Sequence, residues 1–403
     1  MSAESPEISR TGHLYTSPPT KGYQGSTGNG PCSVMVLLTV LAIVVITGCD
    51  PADAHLYHEA IPYPELPAEE IHAMSLEFVQ EFGELEGDGL VFGHIADLAV
   101  SSDGILAVVD AIGCRVWLIN TESAEGHAIG GCGQGPGEFG APWLAAFVGD
   151  TLIVYDYDGH LLKRLTTGGH ELGRAPLPLM SLGTYTLSSL YQGTNGEVIG
   201  GLNLLPVGIM PQHHQIARFR VDSGTVSGMG LVVPPAAQIT KGTSVRYSSL
   251  CVSERKDGLR TVVAVNPWAP QATMLEAEEL EPILSVKLPV AWATARLNAT
   301  GELERVGFVP AAACGGQHAL IGYRRQRMGT GPVAEVLRAT MVLVDLEGEE
   351  FSIIGDASPP EPGSVLFMTP SAAIGERFFL FTNAFFGHPV VREYRLVRRG
   401  GQQ

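Results

Sequence analysis

Residues 103–110 read Asp-Gly-Ile-Leu-Ala-Val-Val-Asp, and this stretch decides the fold because the chain repeats its pattern. A polar dipeptide that tolerates positive φ precedes a strand that is apolar at nearly every position, as expected for a hairpin whose second strand is buried on both faces. The first three copies begin 46 residues apart, and the later ones follow at intervals of about 60. The other five copies are residues 149–156, 195–201, 257–265, 315–323 and 375–382.

Further strand-like segments flank each copy. One precedes every turn, and a more alternating one follows several of the apolar strands, as at residues 114–120. No stretch has the period of an amphipathic helix of ordinary length. Six units of three or four strands have the size of propeller blades, so the sequence predicts an all-β, six-bladed β-propeller with four-stranded antiparallel blades. A β-sandwich is the alternative, but it would not need six equivalent hairpins.

The propeller is expected to occupy residues 76–403. Leu76–Phe82 is an additional strand-like segment before the first unit, whereas the last unit offers only three strands. We expect this N-terminal segment to supply the fourth strand of the last blade, beside Arg392–Val397. Such pairing would close the ring and leave no open sheet edge at the junction.

The first two units carry a family signature. Residues 133–139, Gly-Gln-Gly-Pro-Gly-Glu-Phe, followed by Pro142, resemble a turn of the NHL-like six-bladed propellers, and residues 103–119 resemble the core of the same repeat. The resemblance covers roughly residues 87–165. It implies that Asp110 satisfies turn amides, that Arg115 braces neighbouring strands, and that the turn is structural. The implied turn residues are Gly135, Pro136, Gly137 and Phe139.

The N-terminus has the pattern of an export signal. Val34–Ile46 is a run of 13 residues that is apolar except for Thr39, which is too short to span a membrane but fits a secretory signal. Residues 46–49, Ile-Thr-Gly-Cys, resemble a bacterial lipobox, which implies cleavage before Cys49 and lipidation of that residue. Residues 1–48 are therefore predicted as a signal peptide and residues 49–75 as an extended tether. An ordinary secretory signal or an uncleaved anchor is the alternative.

Composition limits the partners. The net charge is −17, and an acidic chain lacks the basic footprint of a nucleic-acid binder. Beyond the leader and Cys49, the cysteines are Cys114, Cys132, Cys251 and Cys314, which allow three pairings that the sequence does not distinguish. Cys114 and Cys132 are the closest in sequence, and buried free thiols are the alternative. The chain contains no C-x-x-C motif of a zinc site.

Candidate binding residues lie in the loops between the second and third strands of the blades. These loops and the opening of the central channel lie at one end of the propeller, which we call the funnel face. Binding residues concentrate on loops that are held by a rigid scaffold. Trp268 is a candidate stacking platform, and an arginine pair could hold an anion through forked contacts. The histidines do not predict a metal site, and no cofactor is expected. The remaining candidates are Arg324, Arg325, His160, His213 and His388.

These observations favour a monomeric propeller in the bacterial cell envelope, attached to the membrane by its lipid, that binds a peptide, protein or glycan on the funnel face. A hydrolase or lyase with its site in the funnel is the second hypothesis, although the chain lacks a G-x-S-x-G nucleophile elbow. A purely structural envelope protein is the third.

Overall fold

A computed structural model describes most of the chain beyond residue 64. Within the residues that it describes, two short 3-10 helices, Leu179–Leu182 and Val365–Phe367, interrupt an otherwise all-β fold. In this part of the chain, no helix is long and apolar enough to cross a membrane. The described residues are 65–66, 69–70, 74–85, 89–182, 184–204, 216–230, 249–265, 271–288, 306–327, 335–347, 350–357, 364–383 and 388–398.

Six antiparallel sheets form the blades, and in each one the hairpin predicted from the repeat joins the two innermost strands. Blade 1 contains β4 (Ile95–Val100), β5 (Ile105–Asp110), β6 (Arg115–Asn120) and β7 (Gly126–Gly130). Blade 2 contains β8 (Pro142–Val148), β9 (Thr151–Asp156), β10 (Leu161–Leu165) and β11 (Glu171–Pro176). Blade 3 contains β12 (Thr184–Gln192), β13 (Glu197–Leu204), β14 (Ile216–Arg220) and β15 (Val226–Gly230).

The second half of the ring repeats this order and is closed by a strand from the N-terminal side. Blade 4 contains β16 (Ser249–Glu254), β17 (Arg260–Val265), β18 (Gln271–Glu276) and β19 (Pro282–Lys287). Blade 5 contains β20 (Val306–Gly315), β21 (His318–Arg327), β22 (Glu335–Asp345) and β23 (Glu350–Ala357). Blade 6 contains β24 (Thr369–Ile374), β25 (Arg377–Thr382), β26 (Val390–Arg398) and β3 (Met74–Phe82).

The predicted ring closure is confirmed. β3 pairs antiparallel with β26, with Leu76 opposite Leu396 and Phe82 opposite Val391. The innermost strands β4, β8, β12, β16, β20 and β24 contact one another in sequence around the axis, and β24 returns to β4. The six-bladed architecture and the four-stranded antiparallel blades are therefore as predicted.

Two very short strands were not predicted. β1 (Glu65–Leu66) pairs in parallel with β19 at the outer edge of blade 4, and β2 (Glu69–Glu70) pairs in parallel with β23 of blade 5. They give these two blades a fifth strand. A strand of two residues is too short to show a periodic pattern in the sequence. The segment therefore has only the composition that is typical of a tether.

A polar network seals the junction between blade 6 and blade 1. Glu393 is buried on β26, and its carboxylate accepts hydrogen bonds from Arg377 Nε at 2.6 Å and from Gln80 Nε2 at 2.8 Å. Gln80 lies on the closing strand and also donates to the carbonyl of Thr121 in blade 1, at 2.7 Å. The closing strand is thus tied to both blades that meet at the junction, in addition to its ladder with β26.

The blades pack through apolar side chains that project from both faces of each sheet. Between blades 2 and 3, for example, Tyr155, Leu187 and Phe219 belong to one buried cluster. This packing explains why the second strand of each unit is apolar at consecutive positions, since both of its faces are covered.

Both disulfides are now assigned. Cys114 pairs with Cys132, with 4.9 Å between their Cα atoms, and Cys251 pairs with Cys314, with 5.3 Å. The first joins the β5–β6 loop to the connection between blades 1 and 2. The second joins β16 to β20, so it cross-links the innermost strands of blades 4 and 5. The alternative of buried free thiols was wrong for all four cysteines.

Candidate functional site

In each of the first two blades, the loop between the second and third strands lies beside the start of the innermost strand. In blade 1, Ala111 N donates to the carbonyl of His94, immediately before β4, at 2.9 Å. In blade 2, Tyr157 N donates to the carbonyl of Ala141, immediately before β8, at 2.8 Å. These loops and the starts of the innermost strands therefore share one end of the propeller, which is the funnel face.

A buried acid fixes this end of blade 1. Asp110 ends β5 and accepts hydrogen bonds from His94 N and Gly113 N, both at 3.0 Å. Arg115 Nε lies 3.2 Å from the other carboxylate oxygen. The acid thus satisfies two turn amides and pairs with the guanidinium of Arg115.

Blade 2 uses a lysine in the equivalent contact. Asp156 ends β9 and accepts hydrogen bonds from Gly140 N at 2.9 Å and Ala141 N at 2.7 Å. Lys163 Nζ lies 2.6 Å from its carboxylate, and both side chains are fully buried. Lys163 also donates to the carbonyl of Glu138 in the glycine-rich connection, at 2.6 Å. Sequence inspection missed this lysine because it lies two residues beyond the position that matches Arg115.

Large apolar side chains remain exposed on the funnel face. Among the described residues, eight such side chains are exposed, and four of them lie on this face. Leu85 (64% exposed) follows β3, Ile112 (72%) is in the β5–β6 loop, Trp143 (40%) begins β8, and Tyr157 (44%) is in the β9–β10 loop. We call these four residues the apolar patch. The other four lie on outermost strands of their blades, namely Phe78, Val79, Leu172 and Met229.

Local structure positions two members of the apolar patch. A β-bulge falls at Trp143, because Pro142 pairs with Asp156 and Leu144 pairs with Tyr155, so Trp143 has no cross-strand partner. Bulges of this kind redirect a side chain. The Cys114–Cys132 bridge ties the loop of Ile112 to the neighbouring connection. A prearranged surface loses less conformational entropy when a ligand binds.

His160 supports Tyr157. The Nδ1 atom of His160 lies 2.9 Å from the hydroxyl of buried Tyr155, and the two rings stack. The ring of Tyr157 meets that of His160 edge to face, with centroids 5.5 Å apart. Burial raises the pKa of Tyr155 to about 12, so its phenol stays protonated at neutral pH. His160, which we selected as a ligand-binding candidate, is thus placed to position Tyr157.

An acid and a serine meet in the central channel. Asp97 on β4 accepts a hydrogen bond from Ser371 Oγ of blade 6 at 2.8 Å and from Ala145 N of blade 2 at 3.1 Å. Ser371 also lies at a bulge, between Pro370 and Ala372, and its Oγ accepts a hydrogen bond from Leu98 N at 3.2 Å. These contacts connect three consecutive blades around the axis.

Tyr191 reaches across this channel. It lies on β12 in blade 3, and its hydroxyl is 3.3 Å from the carbonyl of Ala312 in blade 5 and 3.4 Å from that of Ser371 in blade 6. Blades 3 and 6 are opposite each other in a six-membered ring, so the side chain spans the axis. Burial raises the pKa of Tyr191, which keeps its hydroxyl protonated. Tyr191, Asp97 and Ser371 therefore lie together near the axis of the ring.

We expect Asp97 to make stability depend on pH. Burial raises the pKa of Asp97 to about 7 from its ordinary value of 3.8. The folded chain therefore holds this proton more tightly than the unfolded chain, and the contribution of Asp97 to stability declines as pH rises from about 4 to about 7. Asp97→Asn removes that dependence. As the pH rises from 5 to 8, the unfolding free energy of the variant should therefore increase by about 1–2 kcal/mol relative to that of wild type, allowing for partial exposure of the carboxyl.

Urea unfolding at pH 5 and pH 8 measures this effect. Asp158→Asn is the matched control, because it makes the same substitution at an exposed acid of the funnel face. An Asp97→Asn chain with the same pH dependence as wild type would show that the carboxyl titrates in the folded protein as it does in the unfolded one.

The structure locates only some of the candidate residues. Trp268 and His213 lie outside the described residues, and Arg325 lies on β21 without a described side chain. Arg324 was expected in a loop, but β21 continues to Arg327, so that expectation was wrong. The guanidinium of Arg324 donates to Thr369 Oγ1 of blade 6 at 2.6 Å, and burial lowers its pKa to about 10.

The histidine candidates do not meet in the described structure. His388 is half-buried just before β26 in blade 6, whereas His160 is in blade 2. Within the described ranges, no three histidine, cysteine or acidic side chains lie close enough together to hold a metal ion. Sequence reasoning also missed Asp97, Ser371 and Tyr191, because a single polar residue in an inner strand has no motif around it. The bulges beside Asp97 and Ser371 are visible only in the strand register.

Comparison with known proteins supports the fold. No protein-family model matches the chain, and no curated protein sequence matches it. Solved structures do resemble it. A member of the DUF4221 family from Bacteroides vulgatus has a TM-score of 0.57 at 9% identity, covering 81% of this chain and 99% of that one. A candidate exported protein from Bacteroides fragilis has a TM-score of 0.52 at 10% identity, covering 83% of this chain and 99% of that one. At these identities the likeness establishes the fold alone.

Proposed function

We propose that this chain is a lipid-anchored propeller outside the bacterial cytoplasm that binds a peptide, protein or glycan on its funnel face. The exposed apolar patch is the observation that carries the proposal. Exposed apolar surface with polar surroundings is typical of sites that bind a partner. Tyrosine and tryptophan are also enriched among residues that contribute most to binding.

Three observations support the location. Residues 46–49 resemble a lipobox, and Cys49 lies outside the described residues. The two disulfides fit an oxidising compartment, because cytosolic thiols are kept reduced. The similar protein from Bacteroides fragilis is described as a candidate exported protein, which agrees with export of this chain.

The contents of the channel favour binding over catalysis. A hydrolase or lyase would need two or more converging acid–base groups that a substrate can reach in the funnel. The described part of the channel brings Asp97 to the axis with Ser371 and Tyr191, and all three side chains contact other blades. Contacts between blades therefore account for the presence of Asp97 and Ser371 in the inner strands.

The anchor is tested by Cys49→Ala. Wild-type protein should partition into the membrane and carry the mass of the lipid on a chain that begins at Cys49. The variant should lose the lipid mass and most of the membrane binding, because each buried methylene contributes about 0.8 kcal/mol. Membrane partitioning of the variant with an unchanged mature mass would overturn the lipid assignment.

Binding is tested with two probe collections. Full-length protein in detergent would be applied to a displayed library of random 12-residue peptides and to an array of neutral and charged glycans. We expect at least one collection to yield ligands whose affinity is lost in the Trp143→Ala/Tyr157→Ala double variant. Leu172→Ala is the matched control, since Leu172 is 53% exposed on outermost strand β11. Ligands that bind the double variant as well as wild type, or no ligand from either collection, would refute the proposal.

A further inference from the structure

The loops around the apolar patch carry acids and no Lys or Arg. Their described residues are 83–85, 89–94, 111–114, 131–141 and 157–160, and these contain Glu84, Glu138 and Asp158. Glu84, Glu138 and Asp158 are exposed. Burial lowers the pKa of His94, the histidine before β4, so it stays neutral at pH 7. The surface around the patch is therefore negative as well as apolar.

Three of the four bases on the adjacent strands are already paired, and the fourth, Arg164, is the fourth of the five residues of β10, toward the end of the blade opposite these loops. Arg115 contacts Asp110, and buried Lys163 contacts Asp156. Arg174 Nε lies 2.6 Å from the Glu171 carboxylate, and its other nitrogens donate to the carbonyls of Gln134 and Gly135. None of these three cations is left to offset the loop acids, so the charge presented to a ligand by blades 1 and 2 is net negative.

We propose that the funnel face of blades 1 and 2 binds a basic, apolar peptide segment of a protein partner. This inference rests on the proposed function and names the ligand class for it. Exposed carboxylates attract lysine and arginine and speed encounter. Exposed Trp143 and Tyr157 offer ring faces to the same cations, and Leu85 and Ile112 offer apolar contact.

Other ligand classes fit this surface less well. A nucleic acid, a phosphopeptide or an acidic glycan would bring negative charge to loops that contain no Lys or Arg. A neutral glycan could stack on the aromatic rings but would gain nothing from the carboxylates. The candidate arginines Arg324 and Arg325 lie in blade 5, across the ring from blade 2, so they add no positive charge to this surface.

The test selects 12-residue peptides from a random displayed library on full-length protein in detergent, with sequencing of the retained population. Retained peptides should carry net positive charge and at least one aromatic or branched apolar residue. For the tightest synthetic peptide, Trp143→Ala or Tyr157→Ala should weaken binding at least about tenfold, as for residues that dominate an interface. Leu172→Ala should change the affinity less than about twofold.

Charge is tested separately from stacking. The Glu84→Gln/Asp158→Asn double variant keeps side-chain size and removes two charges, so it should weaken binding several-fold at low salt and less at high salt. Thermal melting of every variant close to wild type would show that the fold is retained. The inference would be overturned if the retained peptides were neutral or acidic. It would also be overturned if substitution of Trp143 and of the two acids left the affinity unchanged.

Different experimental outcomes would overturn this inference and the proposed function. Retention of neutral glycans, or of acidic peptides whose binding requires Arg324, would overturn the basic-peptide inference while leaving a binding function in place. Retention of nothing from either the peptide library or the glycan array would overturn both.

Discussion

A chain that begins at residue 84, and so lacks β3, is expected to lose the cooperative fold. β3 supplies the outermost strand of blade 6, so removing it exposes the edge of β26. It also exposes the apolar side chains that pack against Phe82 and Leu76. It also removes Gln80 from buried Glu393. We expect no cooperative thermal transition, because a ring with an open junction cannot hold its first and last blades together.

Two matched variants separate the role of β3 from that of the preceding residues. A chain that begins at residue 72 lacks β1 and β2 but keeps β3, and it should melt close to the full-length protein. In a circular permutant, residues 74–82 follow the C-terminus through a short glycine-containing hairpin. Since Arg398 lies opposite Met74, this hairpin is geometrically direct, and cooperative melting should return. A permutant that stays unfolded would contradict closure by strand pairing.

Removal of the disulfide between blades 4 and 5 is expected to have the second largest effect. Cys251 and Cys314 are 63 residues apart and join innermost strands. The loop-entropy relation predicts a loss of about 4 kcal/mol of unfolding free energy for the Cys251→Ala/Cys314→Ala variant. For Cys114 and Cys132, which are 18 residues apart, the same relation gives about 3 kcal/mol.

Urea denaturation of both double-alanine variants, without reductant, measures these losses. The Cys114→Ala/Cys132→Ala variant is the internal comparison, because its bridge closes the shorter loop. Free thiols in the purified wild-type protein, or no loss of stability in either variant, would show that these bridges do not form in solution.

The fold was readable from the sequence because its determinants are periodic. Six copies of a turn followed by a buried strand fixed the blade number, and the additional strand at Leu76–Phe82 fixed the closure. β1 and β2 were missed because two-residue parallel strands add backbone pairing without a side-chain pattern. Arg324 was misplaced because strand β21 runs beyond the apolar stretch that marked its core.

The candidate site was less readable, since it depends on contacts between blades. Asp97 and Ser371 are 274 residues apart in sequence, and Tyr191 reaches blades 5 and 6 from blade 3. Nothing in the local sequence of any of them signals these partners. Trp143 was missed as well, because it lies at a bulge that only the pairing register reveals.

Photo-cross-linking in cells that express the protein tests the central claim, binding at the funnel face of blades 1 and 2, most directly. A benzophenone amino acid would replace Tyr157 in one chain and Leu172 in a second, with both sites on blade 2 and similarly exposed. The account predicts a defined higher-mass adduct from position 157 and none from position 172. Adducts from position 172 alone, or from neither position at wild-type expression, would contradict it.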